Sequence, residues 1–343
     1  EISACLVGSE MCIRDSMNAT INSIGIYHPE KEIRNSFFEK YIQTSDQWIR
    51  ERTGIEKRYF ATDDEYTSDM CVKAAQNLSL NYNKDLADID FIIVATTTPD
   101  QLIPSVASQV QSRLKIKNAG TIDIASACAG FVNGIILAKG LIAANTHKKV
   151  LVIGADMLSK KIDMEDRTTC VLFGDGAGAV LVEASEDNHL FETITGTNGD
   201  YGKDLYLSNQ NAPINGIEII ANDKFHQNGR IVYKCAVQTL TGGLKELSEK
   251  NNLTLDQTDY YIPHSANFRM LEAVFKELNV PIEKCLDSVR KYGNTSAGSV
   301  PLAWFEGLRE GKVKKGDKLS LIGFGGGFTY AGIYIENNIE PLK

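Results

Sequence analysis

The stretch Thr121-Ile-Asp-Ile-Ala-Ser-Ala-Cys-Ala-Gly130 decides how this chain is read. It is a β-like run that collapses into small residues around Cys128. A long apolar segment, Phe131 to Ala144 (FVNGIILAKGLIAA), follows without proline. The order is strand, tight turn, buried helix, with Cys128 at or near the helix N-terminus. A thiol placed there feels the positive end of the macrodipole, which favours the thiolate. The flanking alanines and glycine leave room for a substrate carbonyl against the sulfur. Two readings stand for this segment alone: a nucleophile, or a buried cysteine acting as a small hydrophobe.

Working outward, three motif pairs recur in the same order. Asp90-Phe-Ile-Ile-Val-Ala-Thr96, a buried strand leading into a loop, is echoed by Asp259-Tyr-Tyr-Ile-Pro-His-Ser265. Ala127-Cys-Ala-Gly130 is echoed by Asn294-Thr-Ser-Ala-Gly298. Phe173-Gly-Asp-Gly-Ala-Gly-Ala-Val-Leu-Val182 is echoed by the run from Phe324 to Tyr334. Each of the last pair is a Gly-rich turn running into a strand. Neither carries GxxxxGK[ST] and neither clearly opens a helix, which argues against nucleotide binding there. Apolar strands alternate with helical segments at Ser68–Leu80, Ser105–Leu114, Val237–Lys250 and Phe268–Leu278, an α/β pattern. The segment after Cys128 is apolar on most of its circumference, so it is expected to be buried on all sides, between two sheets. The expected architecture is two similar α/β halves, 17–186 and 187–343, meeting at the charged and polar stretch Ala184–Leu190. Residues 1–16 (EISACLVGSEMCIRDS) have neither a basic n-region nor an apolar h-region and read as a non-native leader, with Met17 as the start.

With 43% hydrophobic and 23% charged residues the composition is that of an ordinary soluble protein. A net charge of -8 argues against a nucleic-acid binder, and an acidic partner would need a local basic patch. No apolar run approaches the roughly 18 residues of a membrane span. The seven cysteines form no CxxC pair and no Cys/His cluster with zinc spacing, so no metal is expected. Scattered, unpaired cysteines fit a reducing cytoplasm.

Among five histidines, only His264 follows a buried strand with a helix close behind, in Ile262-Pro-His-Ser-Ala-Asn-Phe-Arg269. Asn294 lies in Tyr292-Gly-Asn-Thr-Ser-Ala-Gly298, where an amide can point at a ligand or simply serve a turn. Cys128, His264 and Asn294 occupy duplicated positions at strand ends. A cysteine, a histidine and an asparagine suit covalent acyl transfer followed by stabilisation of a developing oxyanion.

At this point the chain resembles the β-ketoacyl-acyl-carrier-protein synthase III family, the initiating condensing enzymes of type II fatty-acid synthesis. The resemblance runs from about Met17 to the C-terminus. It rests on Thr44-Ser-Asp-Gln-Trp-Ile-Arg-Glu-Arg-Thr-Gly-Ile55, DIASACAGF around Cys128, the run Asp166–Gly178, IPHSANFRM around His264, YGNTSAGS around Asn294, and GFGGGFTYAG near the end. It implies the thiolase fold, a layered α-β-α-β-α sandwich, and a homodimer. It implies that Cys128 takes the acyl group from an acyl-CoA primer, with the backbone N–H groups of Cys128 and Gly326 as oxyanion hole. His264 and Asn294 would then hold the thioester carbonyl of malonyl-acyl-carrier protein as CO2 leaves. No cofactor is implied, since acyl-CoA is a substrate and decarboxylation drives the reaction.

By the same resemblance Trp48, Arg52 and Arg167 contact coenzyme A and Asn267 its pantetheine arm. Leu172 and Phe173 line the tunnel, and Lys234, Arg269 and Lys276 dock the acidic carrier protein. For Trp48 and the arginines, a partly buried indole and solvated guanidinium groups are the plain alternative. Two departures bear on specificity. Ile103 stands where many relatives carry Phe, a position that reaches the partner subunit's acyl pocket, and His264-Ser265 replaces a commoner His-Gln. A related branch of secondary metabolism with a different acyl acceptor is the alternative. A thiolase would need a second cysteine near the C-terminal Gly-rich turn, and no cysteine follows Cys285.

Overall fold

The computed structural model describes residues 17–342, and the expected leader 1–16 lies outside the described residues. The chain runs β1 (Asn18–Tyr27), β2 (Lys31–Arg34), α1 (Asp46–Thr53), β3 (Lys57–Phe60), α2 (Thr67–Tyr82), β4 (Phe91–Ala95), α3 (Val106–Arg113), β5 (Gly120–Ile124), α4 (Gly130–Ala143), β6 (Lys149–Met157) and β7 (Asp175–Ser185). It continues with β8 (Leu190–Thr197), β9 (Leu205–Ser208), β10 (Lys224–Gln227), α5 (Gly229–Lys250), β11 (Tyr260–Pro263), α6 (Phe268–Leu278), α7 (Val289–Tyr292), α8 (Ser299–Arg309), β12 (Lys318–Gly325) and β13 (Thr329–Glu336).

Two sheets carry the fold. One has the order β1-β7-β6-β4-β5 and the other β11-β12-β13-β8. The run β1-β7-β6-β4 is matched strand for strand by β8-β13-β12-β11. In each, the first two pairings are antiparallel and the last is parallel. Helices α4 and α8 lie between the sheets, α2 and α3 cover the outer face of the first, and α5 and α6 cover the outer face of the second. The layers are therefore α-β-α-β-α.

Side-chain alternation builds these layers. Along β6, Val150 and Val152 face the middle layer while Leu151 and Ile153 pack under α2 and α3. Along β12, Leu319 and Leu321 face the middle layer and Ile322 faces α5 and α6. The middle cluster draws Ile93 and Val180 from one sheet and Ile262 and Ile333 from the other. No described helix is long and apolar enough to cross a membrane.

The two glycine-rich motifs serve packing. A Cβ on Gly178 in β7 would lie 2.4 Å from the Pro301 side chain, so α8 approaches that strand through the missing methyl group. Gly154 and Gly323 are each the sixth residue of corresponding strands, β6 and β12. A Cβ on Gly154 would lie 2.3 Å from the Ala297 carbonyl oxygen, and one on Gly323 2.8 Å from the Cys128 carbonyl oxygen. Each sheet thus leaves a gap that admits a turn from the other half.

Two local expectations are corrected. Helix α5 begins at Gly229, eight residues before Val237, because Asn228 caps it and the β-branched Ile231 and Val232 find apolar neighbours. Helix α4 is not enclosed all round: Leu137 is 47% exposed, in a surface hollow it shares with Ile124 of β5 and Thr195 of β8.

The glycine gap can be tested. Gly154→Ala should lower the midpoint of urea unfolding by an amount equivalent to about 1–3 kcal/mol, because the added methyl group meets a backbone carbonyl. An unchanged midpoint would mean that the Ala297 turn yields without cost.

Candidate active site

Cys128 lies in a short turn, Ala127–Ala129, immediately before α4. Its counterpart, Ser296–Gly298, immediately precedes α8. Ala127 and Ser296 open these turns in the left-handed region, at φ 45 and φ 49. Non-glycine residues are held there only when their surroundings fix them, at a cost of about 1–3 kcal/mol each. The bare backbone of Gly325 supplies part of that hold, since a Cβ there would lie 2.5 Å from the Cys128 nitrogen.

His264 follows β11, and its backbone N–H donates to the Ile322 carbonyl at 2.7 Å, extending the sheet by one residue. Asn294 follows α7. Its N–H donates to the Leu172 carbonyl at 2.8 Å, and its carbonyl accepts from the Gly174 N–H at 3.1 Å. The Asn294 Oδ1 accepts from the Ser296 N–H at 2.9 Å. This leaves the Nδ2 amide hydrogens without a partner among the described residues, and the side chain lines the pocket.

One cavity of about 240 Å³ brings together Cys128, His264 and Asn294, and also Trp48, Arg52, Arg167, Asn267, Leu172 and Phe173. Gly325, not Gly326, lines it; Gly326 sits beside Ala127 and Leu205. The Arg167 guanidinium stacks 4.2 Å from the Trp48 ring centroid and donates to the Gln43 carbonyl at 3.1 Å. Asn267 caps α6: its Oδ1 accepts from the Arg269 N–H at 2.8 Å and its Nδ2 donates to the Arg52 carbonyl at 3.2 Å. Ile103 lies outside this cavity and is 88% exposed. Lys234 and Lys276 are exposed. Arg269 is also exposed but is already engaged, by Glu272 at 2.8 Å and by the Glu51 carbonyl at 2.9 Å.

Electrostatically the floor of the cavity is neutral. Burial lowers the His264 pKa to about 3, so the imidazole is uncharged at neutral pH. Its Nδ1 lies 2.7 Å from the Ser299 hydroxyl. Burial also pushes the Cys128 thiol up to about 12, aided by the Asp156 carboxylate and opposed by the Ser296 hydroxyl. The thiolate expected from the helix terminus therefore does not form at rest. Cys128 does sit at the start of α4, but desolvation of the sulfur outweighs the dipole.

Two segments, residues 122–199 and 248–337, match models described as 3-oxoacyl-[acyl-carrier-protein (ACP)] synthase III and its C-terminal region. The beta-ketoacyl-[acyl-carrier-protein] synthase III 2 of Halalkalibacterium halodurans is 46% identical over 326 residues, 95% of this chain and 98% of that protein. The chain belongs to the 3-oxoacyl-[acyl-carrier-protein] synthase III family. It is a condensing enzyme with the thiolase fold. The crystal structure of the synthase III from Aquifex aeolicus superposes with a TM-score of 0.87 at 38% identity, covering 93% of this chain and all of that one. A priming β-ketosynthase of a polyketide biosynthetic pathway superposes equally well, with a TM-score of 0.87 at 30% identity over 95% of this chain and 98% of that one.

Sequence reasoning missed much of the synthase's apolar cavity wall. Gly229, Val232, Tyr233, Ala236 and Leu240 line it at helical spacing along one face of α5. That stripe is visible in the sequence once the helix is started at Gly229. Phe225 and Met270 complete the wall from β10 and α6, which only the tertiary fold brings there.

The raised thiol pKa has a direct readout. Only thiolate is alkylated, so the rate at Cys128 with iodoacetamide should climb about tenfold per pH unit from pH 7 to 9. The measurement follows the Cys128 peptide by mass spectrometry. A plateau below pH 8 would contradict a thiol held protonated by burial.

Proposed function

We propose that this synthase condenses an acyl-CoA primer with malonyl-acyl-carrier protein, with loss of CO2, through an acyl-Cys128 intermediate. The observation that carries this reading is the meeting of Cys128, a neutral His264 and the unpaired Asn294 amide in one largely apolar cavity. The Cys128 sulfur attacks the primer thioester carbonyl, and its proton leaves on the departing coenzyme A sulfur. Backbone N–H groups of Cys128 and Gly326 receive the oxyanion, which requires backbone to approach the ligand closely. Next, His264 Nε2 and Asn294 Nδ2 donate to the malonyl thioester carbonyl as the C–CO2 bond breaks and charge moves onto that oxygen. The carbanion attacks the acyl carbonyl, the C–S bond to Cys128 breaks, and a proton restores the thiol. The β-ketoacyl-carrier protein leaves. No redox or metal cofactor enters this sequence.

The stacked Trp48–Arg167 pair and the exposed Arg52 suit the adenine and phosphate groups of coenzyme A. Asn267 fits the pantetheine arm, with its amide already half-committed to capping α6. For the acidic carrier protein, Lys234 and Lys276 supply the free positive charge, while Arg269 serves first to tie α6 to the last carbonyls of α1. A homodimer fits the exposed apolar groups around the edge strand β5: Leu102, Ile103, Ile122 and Leu137. Two units, 17–186 and 187–343, and a cytoplasmic location complete the reading. Fatty-acid initiation is favoured over secondary metabolism by the higher identity to the synthase III relatives.

The two half-reactions separate the roles. Cys128→Ala should abolish the acyl adduct seen by intact-protein mass spectrometry after incubation with acyl-CoA. His264→Ala and Asn294→Ala should still acylate, yet condense on the order of 10²–10³ more slowly, because each removes a donor to the developing oxyanion. Wild-type condensation by either variant would remove that residue from the mechanism.

Primer choice tests Ile103. In the dimer its side chain would close the partner's acyl pocket, and a shorter aliphatic group leaves more depth than a phenyl ring. Ile103→Phe should raise the ratio of kcat/KM for acetyl-CoA over a six-carbon acyl-CoA. A pocket methylene is worth about 1–3 kcal/mol, so the shift should be graded. An unchanged ratio would show that Ile103 does not shape the pocket.

A further inference from the structure

Three serines, all fully buried, cluster behind His264: Ser265, Ser288 and Ser299. None lines the cavity. The Ser265 hydroxyl donates to the Pro263 carbonyl at 3.2 Å and accepts from the Ser288 N–H at 3.3 Å. The Ser288 hydroxyl donates to the Ser299 carbonyl at 2.9 Å. This chain of bonds anchors the first residue of α8 to the segment that carries His264. It sets the Ser299 hydroxyl 2.7 Å from His264 Nδ1.

A neutral imidazole carries one proton, on either nitrogen, and its partner at Nδ1 decides which. If Nδ1 held the hydrogen and donated to Ser299, the serine's own hydroxyl hydrogen would need a second acceptor. Among the described residues the Ser299 hydroxyl has no partner except His264, and its surroundings exclude solvent. A buried hydroxyl hydrogen without an acceptor is unfavourable. If Ser299 donates to Nδ1, every hydrogen there is used, and the hydrogen of His264 sits on Nε2.

We propose that Ser299 is a positioning residue whose hydroxyl donates to His264 Nδ1 and holds the ring as the Nε2–H tautomer. His264 then meets a substrate carbonyl as a hydrogen-bond donor and cannot act there as a proton acceptor. The assignment deepens the condensation reading and rests on it for its catalytic consequence, but the tautomer itself is a property of the free protein. The Ser265–Ser288 chain gives a role to Ser265, the residue following His264.

The test uses the full chain labelled with ring-15N histidine, the His264 signals being identified by their loss in His264→Ala. The expected wild-type pattern is that of an Nε2-protonated neutral ring, unchanged between pH 6 and 8. An Nδ1-protonated pattern would overturn the proposal. Ser299→Ala should mix the two tautomers and slow primer-independent decarboxylation of malonyl-carrier protein at least about tenfold. Its rate of Cys128 acylation should stay within about twofold of wild type, since acylation draws on backbone donors. Ser299→Thr, which keeps the hydroxyl, should restore both the tautomer and the rate. Equal losses of acylation and decarboxylation, or an unmixed tautomer in Ser299→Ala, would reduce Ser299 to a packing residue. If wild type shows the Nε2–H pattern but no decarboxylation, the condensation reading fails while the tautomer assignment stands.

Discussion

At the end of β6, Asp156 carries a carboxylate with no access to solvent. One oxygen accepts from the Thr97 N–H at 2.7 Å, from the Thr97 hydroxyl at 2.9 Å, and from the Thr96 and Thr98 hydroxyls at 3.2 Å each. The other accepts from the Ala297 N–H at 3.2 Å. A buried carboxylate is tolerated only with such a set of donors, and burial still raises its pKa. Its partners are what matter. The threonines begin the loop that runs on to Ile103, and Ala297 belongs to the turn that carries Asn294. One side chain of the first half thus fixes a loop of its own half and, in the other, the turn that follows Asn294. The left-handed Ser296 is pinned by its own N–H, which donates to Asn294 Oδ1, and by Ala297 beside it, which Asp156 holds.

The site that results is largely apolar and uncharged at its floor. Cys128 and His264 are neutral, and the groups proposed to meet a ligand are donors without charge: backbone N–H, an amide and, by the tautomer assignment, an imidazole N–H. In low dielectric such dipoles interact strongly with charge that appears during reaction and do not compete for it beforehand. A resting thiolate or an imidazolium would reverse that. Each would hold a counter-ion or water in the cavity, and each would attract the malonyl carboxylate or repel it before the C–C bond breaks.

Short motifs at strand ends were legible from sequence because their chemistry is local. A small-residue turn ahead of an apolar helix marks Cys128. Proline-histidine at the end of a buried strand marks His264, and Gly-Asn before a helix marks Asn294. The strand repeat that pairs β4 with β11 and β7 with β13 was legible for the same reason. The thiol's protonation state was not, because the dipole is a property of one segment whereas desolvation depends on what the fold lays over it. Arg269 shows the same limit. Its charge is visible in the sequence, and so is Glu272 three positions on, but its bond to the Glu51 carbonyl near the end of α1 joins residues more than two hundred positions apart.

The middle layer has a consequence for how the chain is made. Its cluster joins Ile93, Val150 and Val180 to Ile262, Leu321 and Ile333 around α4 and α8. Neither sheet can cover its inner face alone. As the polypeptide leaves the ribosome, β1 to β7 emerge with that face and α4 still open to water. They stay uncovered until β12 and β13, which follow later in the chain, are made. The glycine gap at Gly323 that admits the Cys128 turn belongs to β12. Cys128 therefore acquires its final environment only once β12 and β13 have been made, and a ribosome that stops before them releases a chain with the middle apolar layer uncovered.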